Sequence, residues 1–402
     1  MPSTRFSARG YPWRLYSGEG ALENLGRVIE SRGAKRAFVV CGRSVANRTD
    51  LLARIRTICG ERYAGVYAGM AKDAPLECVQ AAVQAAQDAQ ADLLIAAGAG
   101  TVIKSVRVIA ILLAEGRPPE ELMTRYPPGG PAVSPRLREP KLPIVNVLTA
   151  ATSAQNRAGA AVKQLELGHR MEFFDPKTRP IAIFWDAGAL LTAPVSLALG
   201  TGAAVFWRAL MNMGAIGASN PLIEGERYQA YRLAGRAIRR ITDPRDAEAR
   251  IEMCAAAFLQ NREEDEGRIF SDTHWVARVV YALAASTINL VESIGQGDAY
   301  AALTPAAIRV FGERDPDGMA AIGRAIGMPD VQPGVDDMPR IADAVDALFR
   351  GIGMQMRLRD LGVPREMLPR IVDFSLRNFN ADRNQTFANE TEALGRALDL
   401  AW

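Results

Sequence analysis

Through the first part of the chain, short apolar runs that end on glycine alternate with stretches whose apolar residues recur every three or four positions. RAFVVCG (36–42), YAGVYAGM (63–70), ADLLIAAGAG (91–100) and PIVNVLTA (143–150) read as strands. Their unbroken apolar character suits parallel strands covered on both faces. DLLARIRTIC (50–59), LECVQAAVQAAQDAQ (76–90) and TVIKSVRVIAILLAEG (101–116) carry helical spacing, and the second is rich in helix-forming Ala and Gln. A β-α-β-α-β order predicts a parallel sheet with helices on both faces. Residues 117–142, with PPGGPAVSPRLREP, read as a long surface loop.

After about residue 187 the strand signal stops. ALLTAPVSLALGTGAAVFWRAL, YQAYRLAGRAIRRIT, DAEARIEMCAAAFLQ, WVARVVYALAASTINLVESI, AYAALTPAAIRVF, IADAVDALFRGIGMQM and TEALGRALDLAW are all helical in pattern. The expected fold is an α/β nucleotide-binding domain over residues 1–186 followed by an all-α domain over 187–402, with the boundary between Phe184 and Ala189. No internal repeat interrupts this division.

Composition narrows the function classes. A net charge of +3 over 402 residues, with no clustered basic reader, argues against nucleic acid. No apolar stretch reaches the ~18–20 residues that span a bilayer, and the N-terminus lacks the apolar core of a signal peptide. The four Cys are scattered without a CxxC pair. The expectation is a cytoplasmic protein with free thiols. Lys occurs at only six positions, so Lys104, inside a glycine-rich stretch, stands out.

Two turns carry candidate chemistry. In DLLIAAGAGTVIKS a strand ends on Gly98, Ala99, Gly100 and Thr101 and a helix begins at once. Glycines allow close approach of a phosphate, and a helix start offers unpaired N–H groups and the positive end of the helix dipole. A bare strand-to-helix turn would have the same sequence. At the end of the first strand stand Gly42, Arg43 and Ser44, where nucleotide-binding sheets reach the adenosine ribose. An acid there suits NAD; an Arg suits the 2′-phosphate of NADP, so NADP fits better than NAD.

The chain resembles the iron-containing (group III) alcohol dehydrogenases, a family that includes the maleylacetate reductases and has a dehydroquinate synthase-like fold. GAGTVIKSVRVIA resembles the family's GGGSxIDxAKxIA, and PLECV from Pro75 its PxxExV segment. VLTAATSAQNRAGAAV sits at its IPTTAGTGSE-type loop, with Thr149 retained and Ser153 within the altered part. FWDAGALLTAPVSLALGTG and LRDLGVPREMLPRIVDFSLRN match two further stretches. The resemblance implies a nicotinamide cofactor, an active site between the domains, an alcohol or carbonyl substrate and a homo-oligomer. Lys104 stands at the family's Asp and Arg107 at its Lys, two cations that would support an anionic ligand.

The family holds a divalent metal with one Asp and three His. Those positions here read Ala204, Arg208, Ala282 and Gln296. The whole chain has only His169 and His274, so no realignment supplies three His. A catalytic metal needs about three N, O or S ligands, and the expectation is no metal. Arg208 could take over part of the metal's electrostatic role or clamp a carboxylate, or it could pair with Glu292 or Asp298 as filler. His274, Tyr281 and Asp298 are the candidate proton donors or acceptors. His274 is expected in the first turn of a helix capped by Ser271-Asp272-Thr273, its pKa lowered by the dipole. Phe206 and Trp207 would make the cleft apolar and suit a bulky or aromatic substrate. The first reading is a metal-independent NAD(P)-dependent oxidoreductase of a carbonyl or alcohol, carboxylated or aromatic. The alternative is a catalytically impaired or partner-dependent subunit with a vestigial nucleotide site.

Overall fold

The structure, a computed structural model, describes residues 5–265 and 273–402. Its strands are β1 (Arg14–Gly18), β2 (Ala37–Cys41), β3 (Tyr63–Tyr67), β4 (Leu93–Gly98), β5 (Ile144–Leu148), β6 (Gly159–Val162), β7 (Met171–Phe174) and β8 (Ala182–Asp186). Between them lie α1 (Leu25–Ser31), α2 (Arg43–Arg48), α3 (Leu51–Cys59), α4 (Leu76–Asp88), α5 (Gly100–Glu115) and α6 (Pro119–Leu122). The pattern of apolar runs finds β2 to β5. It misses β1, β6, β7 and β8; β6 and β7 have only four residues each, and β1 lies half exposed at the sheet edge.

The main sheet has the order β1-β8-β5-β4-β2-β3, and all its pairings are parallel. β2, β4, β5 and β8 are buried along their whole length, because helices cover both faces. Alternation still shows in what each residue touches. Val39, Cys41, Ile95 and Ala97 pack with α1 and α3 on one face; Phe38, Val40, Leu94 and Ala96 pack with α4 and α5 on the other. From β2 the chain steps outward to β3 and then returns through α4 to β4, on β2's other side. The crevice between the carboxyl ends of β2 and β4 is therefore a topological switch point, where open α/β sheets bind ligands.

After β8 follow α7 (Ala187–Leu191), α8 (Val195–Met213), α9 (Pro221–Ile238), α10 (Ala247–Leu259), α11 (Arg262–Asp265) and α12 (Trp275–Leu290). Then come α13 (Gln296–Phe311), α14 (Pro316–Ala325), α15 (Met338–Gly351), α16 (Leu368–Ser375), α17 (Phe379–Asp382) and α18 (Thr391–Ala401). α8 is buried nearly all round over its last three turns and is the axis of this half. Gly297 lets α13 pass close to it; a Cβ there would sit 2.2 Å from the Gly200 carbonyl oxygen.

Asp186, the last residue of β8, is wholly buried. One carboxylate oxygen accepts from the Leu22 N–H at 3.0 Å; the other accepts from the Ala189 N–H and Arg54 Nη2, both at 2.9 Å. It ties the sheet to the start of the helical half. The 117–142 segment is less free than a surface loop. Gln385 donates to the carbonyls of Pro127 and Gly130, the Ala132 N–H donates to Arg383, and Tyr126 bonds Glu172. No helix among the described residues is long and apolar enough to cross a membrane.

Candidate active site

At the switch point, β4 runs through Gly98 into α5, which starts at Gly100 with no side-chain cap. The start of α5 thus has no side-chain cap on its first N–H groups, as a phosphate site requires. Both glycines are forced by close packing. A Cβ on Gly98 would lie 2.8 Å from Val102, and one on Gly100 would lie 2.9 Å from Thr152 Oγ1. Ala99 and Thr101 are half-buried, and the Thr149 N–H donates to the Gly98 carbonyl at 3.1 Å, fixing the next loop against the turn. Across the crevice, Gly42 precedes α2, whose first residues Arg43 and Ser44 are exposed. These residues fit a dinucleotide: a free helix start, a glycine cradle and a solvent-side cation.

Lys104, one turn into α5, makes no hydrogen bond or ion pair with any described residue. Burial pushes its pKa down to about 8; Asp73 opposes this, while Arg170 and Arg107 add to it. Arg107 does not reach toward a phosphate. It is buried, and its Nη1 donates to the carbonyls of Ala154 (2.9 Å) and Arg157 (2.6 Å), bracing the 149–157 loop.

That loop holds the two domains together. Gln155 donates to the Cys254 carbonyl (2.8 Å) and accepts from Trp185 Nε1 (2.7 Å). Asn261 Nδ2 donates to the Ser153 carbonyl (2.7 Å) and to Asn156 Oδ1 (2.6 Å). The departure TSAQN from the family loop is thus a set of engaged side chains. Ser153 takes part through its backbone oxygen.

Where the family's metal ligands would stand, α8 presents Ala204 and Arg208, α12 presents the buried Ala282, and α13 begins with the exposed Gln296, whose amide donates to the Tyr300 hydroxyl (2.7 Å). Two methyl groups, a carboxamide and a guanidinium that can only donate do not fit a divalent cation. Among the described residues no three His, Cys, Asp or Glu side chains converge elsewhere.

The place is taken by an arginine cluster. Arg208 is buried; it donates to Asn261 Oδ1 (2.9 Å) and the Gln260 carbonyl (3.1 Å) and lies 3.4 Å from Glu264 Oε1. Its acid is therefore Glu264, not Glu292 or Asp298. Arg157 grips the same carboxylate with Nε at 2.8 Å and Nη2 at 2.7 Å. Burial would raise the Glu264 pKa, but Arg157 and Arg208 hold it below the usual carboxylate range. Arg170, just before β7, lies within hydrogen-bonding reach of Tyr281 and in the field of Tyr300. The two tyrosine rings stack with centroids 6.4 Å apart. Burial first, and then Tyr281, push the Tyr300 hydroxyl up, while Gln296, Arg208 and Arg170 draw it down. Asn212, one turn beyond Arg208 on α8, is buried with neither amide atom hydrogen-bonded among the described residues.

The other expected proton carriers are in structural posts. His274 is the N-cap of α12. Its Nδ1 accepts the Ala277 N–H (3.3 Å), which leaves the proton on Nε2 to donate to the Met211 carbonyl (2.9 Å). Its pKa is lowered, chiefly by burial; the cap expected from Ser271 and Asp272 falls outside the described residues. Asp298 accepts the Gly295 N–H (3.1 Å) and caps α13. Trp207 is wholly buried, stacked on Tyr300 at 3.9 Å and bonded to Thr304, and Phe206 packs on Tyr231 and Phe349. Neither makes the cleft apolar, so the argument for an aromatic substrate lapses. Arg157, Arg170, Glu264 and Tyr300 were not legible as site residues. The only hint was Arg in the altered NRAG segment.

Comparison with known proteins agrees with this architecture. A family model described as iron-containing alcohol dehydrogenase matches residues 12–187, and one for the Fe-containing alcohol dehydrogenase C-terminal region matches 215–394. The maleylacetate reductase of Burkholderia cepacia is 22% identical over 366 residues, 91% of this chain and 89% of that protein. Maleylacetate reductase 2 of Cupriavidus pinatubonensis is 35% identical over 106 residues only, 26% of this chain and 29% of its own length. The crystal structure of NADH-dependent butanol dehydrogenase A from Thermotoga maritima superposes with a TM-score of 0.82 at 18% identity, covering 99% of this chain and 100% of that one. The α/β domain with its helical partner is the fold of that family, and the chain belongs to the iron-containing alcohol dehydrogenases, as an oxidoreductase of the NAD(P)-dependent alcohol dehydrogenase and reductase type.

Proposed function

We propose that this chain is a metal-independent reductase of a carboxylated carbonyl compound, with NADP preferred to NAD, working between residues 1–186 and 187–402. One observation carries the reading: guanidinium groups and a tyrosine pair gather beside Arg208 and Gln296, two positions that the resemblance gives to metal ligands. In metal enzymes of this kind the cation stabilises charge developing on the substrate oxygen; fixed donors can supply that stabilisation instead.

The bound nicotinamide supplies or accepts the hydride. The phosphates suit the α5 start, with Gly98, Ala99, Gly100, Thr101 and Lys104 around them and Thr149 and Ser153 in the adjoining loop. Arg43, with Gly42 and Ser44, suits a 2′-phosphate. Tyr281 is the proton donor to the carbonyl oxygen, and Arg170 beside it stabilises the phenolate left behind. Tyr281 is half-buried, so solvent can return the proton. Arg157 and Arg208, already sharing Glu264, hold the substrate carboxylate. The orphan amide of Asn212 is a buried polar group of the sort that a bound ligand satisfies. His274 and Asp298 are left out of the chemistry. Family resemblance and the four free Cys support a cytoplasmic homo-oligomer.

The test is a titration of the purified protein with NADPH and NADH, followed by nicotinamide fluorescence, with metal content assayed on the same sample. Tight NADPH binding and carbonyl reduction without stoichiometric metal are expected. Activity that tracks bound metal would overturn metal independence; binding of neither nucleotide would favour the vestigial, partner-dependent subunit.

A further inference from the structure

Two opposite charges face one another across the crevice without meeting. Lys104 stands one turn beyond Gly100, and Asp73 stands in the loop between β3 and α4; each is half-buried. Asp73 attracts Lys104, while Arg170 and Arg107 repel it. Yet neither the Asp73 nor the Lys104 side chain makes a hydrogen bond or ion pair with any described residue. Asp73 is held in place at a conformational cost. It and Ala74 are consecutive non-glycine residues of positive φ, 62° and 59°, a backbone that persists only where its surroundings enforce it. Here they do. The Lys163 N–H donates to the Ala74 carbonyl at 3.0 Å, the Leu76 N–H donates to the Lys163 carbonyl at 3.1 Å, and Lys72 Nζ donates to the Ile294 carbonyl of the helical half at 2.8 Å. A carboxylate and an ammonium fixed apart in this way call for a group between them that both accepts and donates, and a hydroxyl is such a group.

We propose that Asp73 and Lys104 clasp a sugar hydroxyl of the dinucleotide, with Lys104 donating to the hydroxyl oxygen and the hydroxyl donating to Asp73. The inference rests on the reading above, that a nicotinamide dinucleotide binds at the start of α5. It gives Asp73 a part in binding and gives Lys104 a partner besides the phosphates. The flanks of the pair select the sugar. On one side is the helix start that suits the phosphates; on the other is Arg170, beside Tyr281. In a dinucleotide the group between the diphosphate and the reacting ring is the nicotinamide ribose. Its two neighbouring hydroxyls suit a carboxylate, which has two acceptor oxygens. Nucleotide-binding sheets commonly set an acid on the adenosine ribose. This chain has Arg43 at that end and no acid beside it, and its crevice acid, Asp73, faces Lys104 instead. Such a clasp acts on every ligand that carries the second ribose and is blind to one that lacks it.

The test reads binding, without turnover. The full chain is titrated calorimetrically with NADPH, with 2′-phospho-ADP-ribose, which keeps the second ribose and lacks the ring, and with 2′,5′-ADP, which lacks that ribose. Asp73→Gly removes the carboxylate and suits the positive φ, so the turn is kept. It should weaken NADPH and phospho-ADP-ribose by roughly tenfold or more, the worth of a hydrogen bond to a charged group, and leave 2′,5′-ADP within about twofold. Asp73→Asn, which also tolerates that backbone and keeps one acceptor oxygen, should lose less. Simple repulsion between Asp73 and the diphosphate predicts the opposite sign. Tighter or unchanged NADPH binding in Asp73→Gly would therefore overturn the clasp, as would equal losses for all three ligands. A loss confined to the KM of the carbonyl substrate would give the pair to the substrate and overturn it too. In a Lys104→Met background Asp73→Gly should cost less than it does alone, because one hydroxyl bridges both residues; full additivity would count against the clasp. In each of these outcomes NADPH still binds and the reductase reading stands. If none of the three ligands binds to the unaltered chain, the clasp and that reading fall together.

Discussion

The crevice between β2 and β4 and the helical wall opposite it have diverged to different degrees. In the crevice the backbone decides. Gly98 and Gly100 are held by contacts with Val102 and Thr152, so the turn keeps its shape while Lys104 replaces an acid one turn later. On the wall, side chains decide, and each has changed. α8, α12 and α13 pack as the fold requires, but Ala204, Arg208, Ala282 and Gln296, where the resemblance puts the family's ligands, do not fit a cation. A turn built from backbone keeps its shape through substitution around it. A site built from four converging side chains does not, and its space is taken by whatever satisfies the buried charge. Here that is Glu264, held by Arg157 and Arg208.

The sharpest way to break this comparison is Tyr281→Phe. Removing a proton donor should lower kcat by about 10²–10⁴-fold with nucleotide binding unchanged. Steady-state kinetics and NADPH titration on the same sample decide it; an unchanged kcat removes Tyr281 from the wall's chemistry. Next in size, Glu264→Gln leaves two buried guanidinium groups without their carboxylate. A loss of about 3–5 kcal/mol is expected, read from urea unfolding. Because the folded pKa of Glu264 lies below its unfolded value, its contribution is present above about pH 4.5 and is lost as the pH falls through the folded value. The variant should lack that acid limb.

On the crevice side, Arg43→Ala should weaken NADPH by about tenfold, the value of one exposed charge-assisted contact, and leave NADH unaffected. Equal loss for both would place Arg43 away from the 2′-phosphate. The smallest effect concerns His274→Asn, which keeps an N-cap acceptor. The buried His is neutral when folded, with a pKa below its unfolded value near 6.5. Its stabilisation is present above that pH and declines as the pH drops, because the unfolded chain binds the proton more readily. The variant should flatten the stability profile below pH 6.5 by about 1 kcal/mol, with kcat unaltered.

Much of the fold was legible because burial on two faces leaves a continuous apolar run, and β2, β4 and β5 are such runs. β6 and β7 were not, since four-residue strands pairing only with each other carry too short a pattern. That the chain has only two His was legible by counting. The arginine cluster was not. Arg157, Arg170 and Glu264 lie on a loop, before a short strand and on a one-turn helix, where no periodicity announces a partner.

Local rules also misassigned posts. His274 and Asp298 read as acid–base candidates because a His or an Asp in a cleft-side segment is chemically able. Packing gave both to helix N-termini, where their acceptor atoms satisfy N–H groups that would otherwise be orphaned. Phe206 and Trp207 read as cleft lining, but α8 is turned so that they face its neighbours.

Residue order alone thus settles the α/β-plus-helical architecture, the glycine-bearing strand-to-helix turn and which residue types stand at 204, 208, 282 and 296. These depend on apolar pattern, on glycine and on residue identity, which are all local. Tertiary packing settles which cations meet, which acid they share and which tyrosine stands among them. Electrostatic interaction depends on distance and on exclusion of water, and residues 157, 170, 208, 264 and 281 come within range only once β7, α8, α11 and α12 are folded against one another.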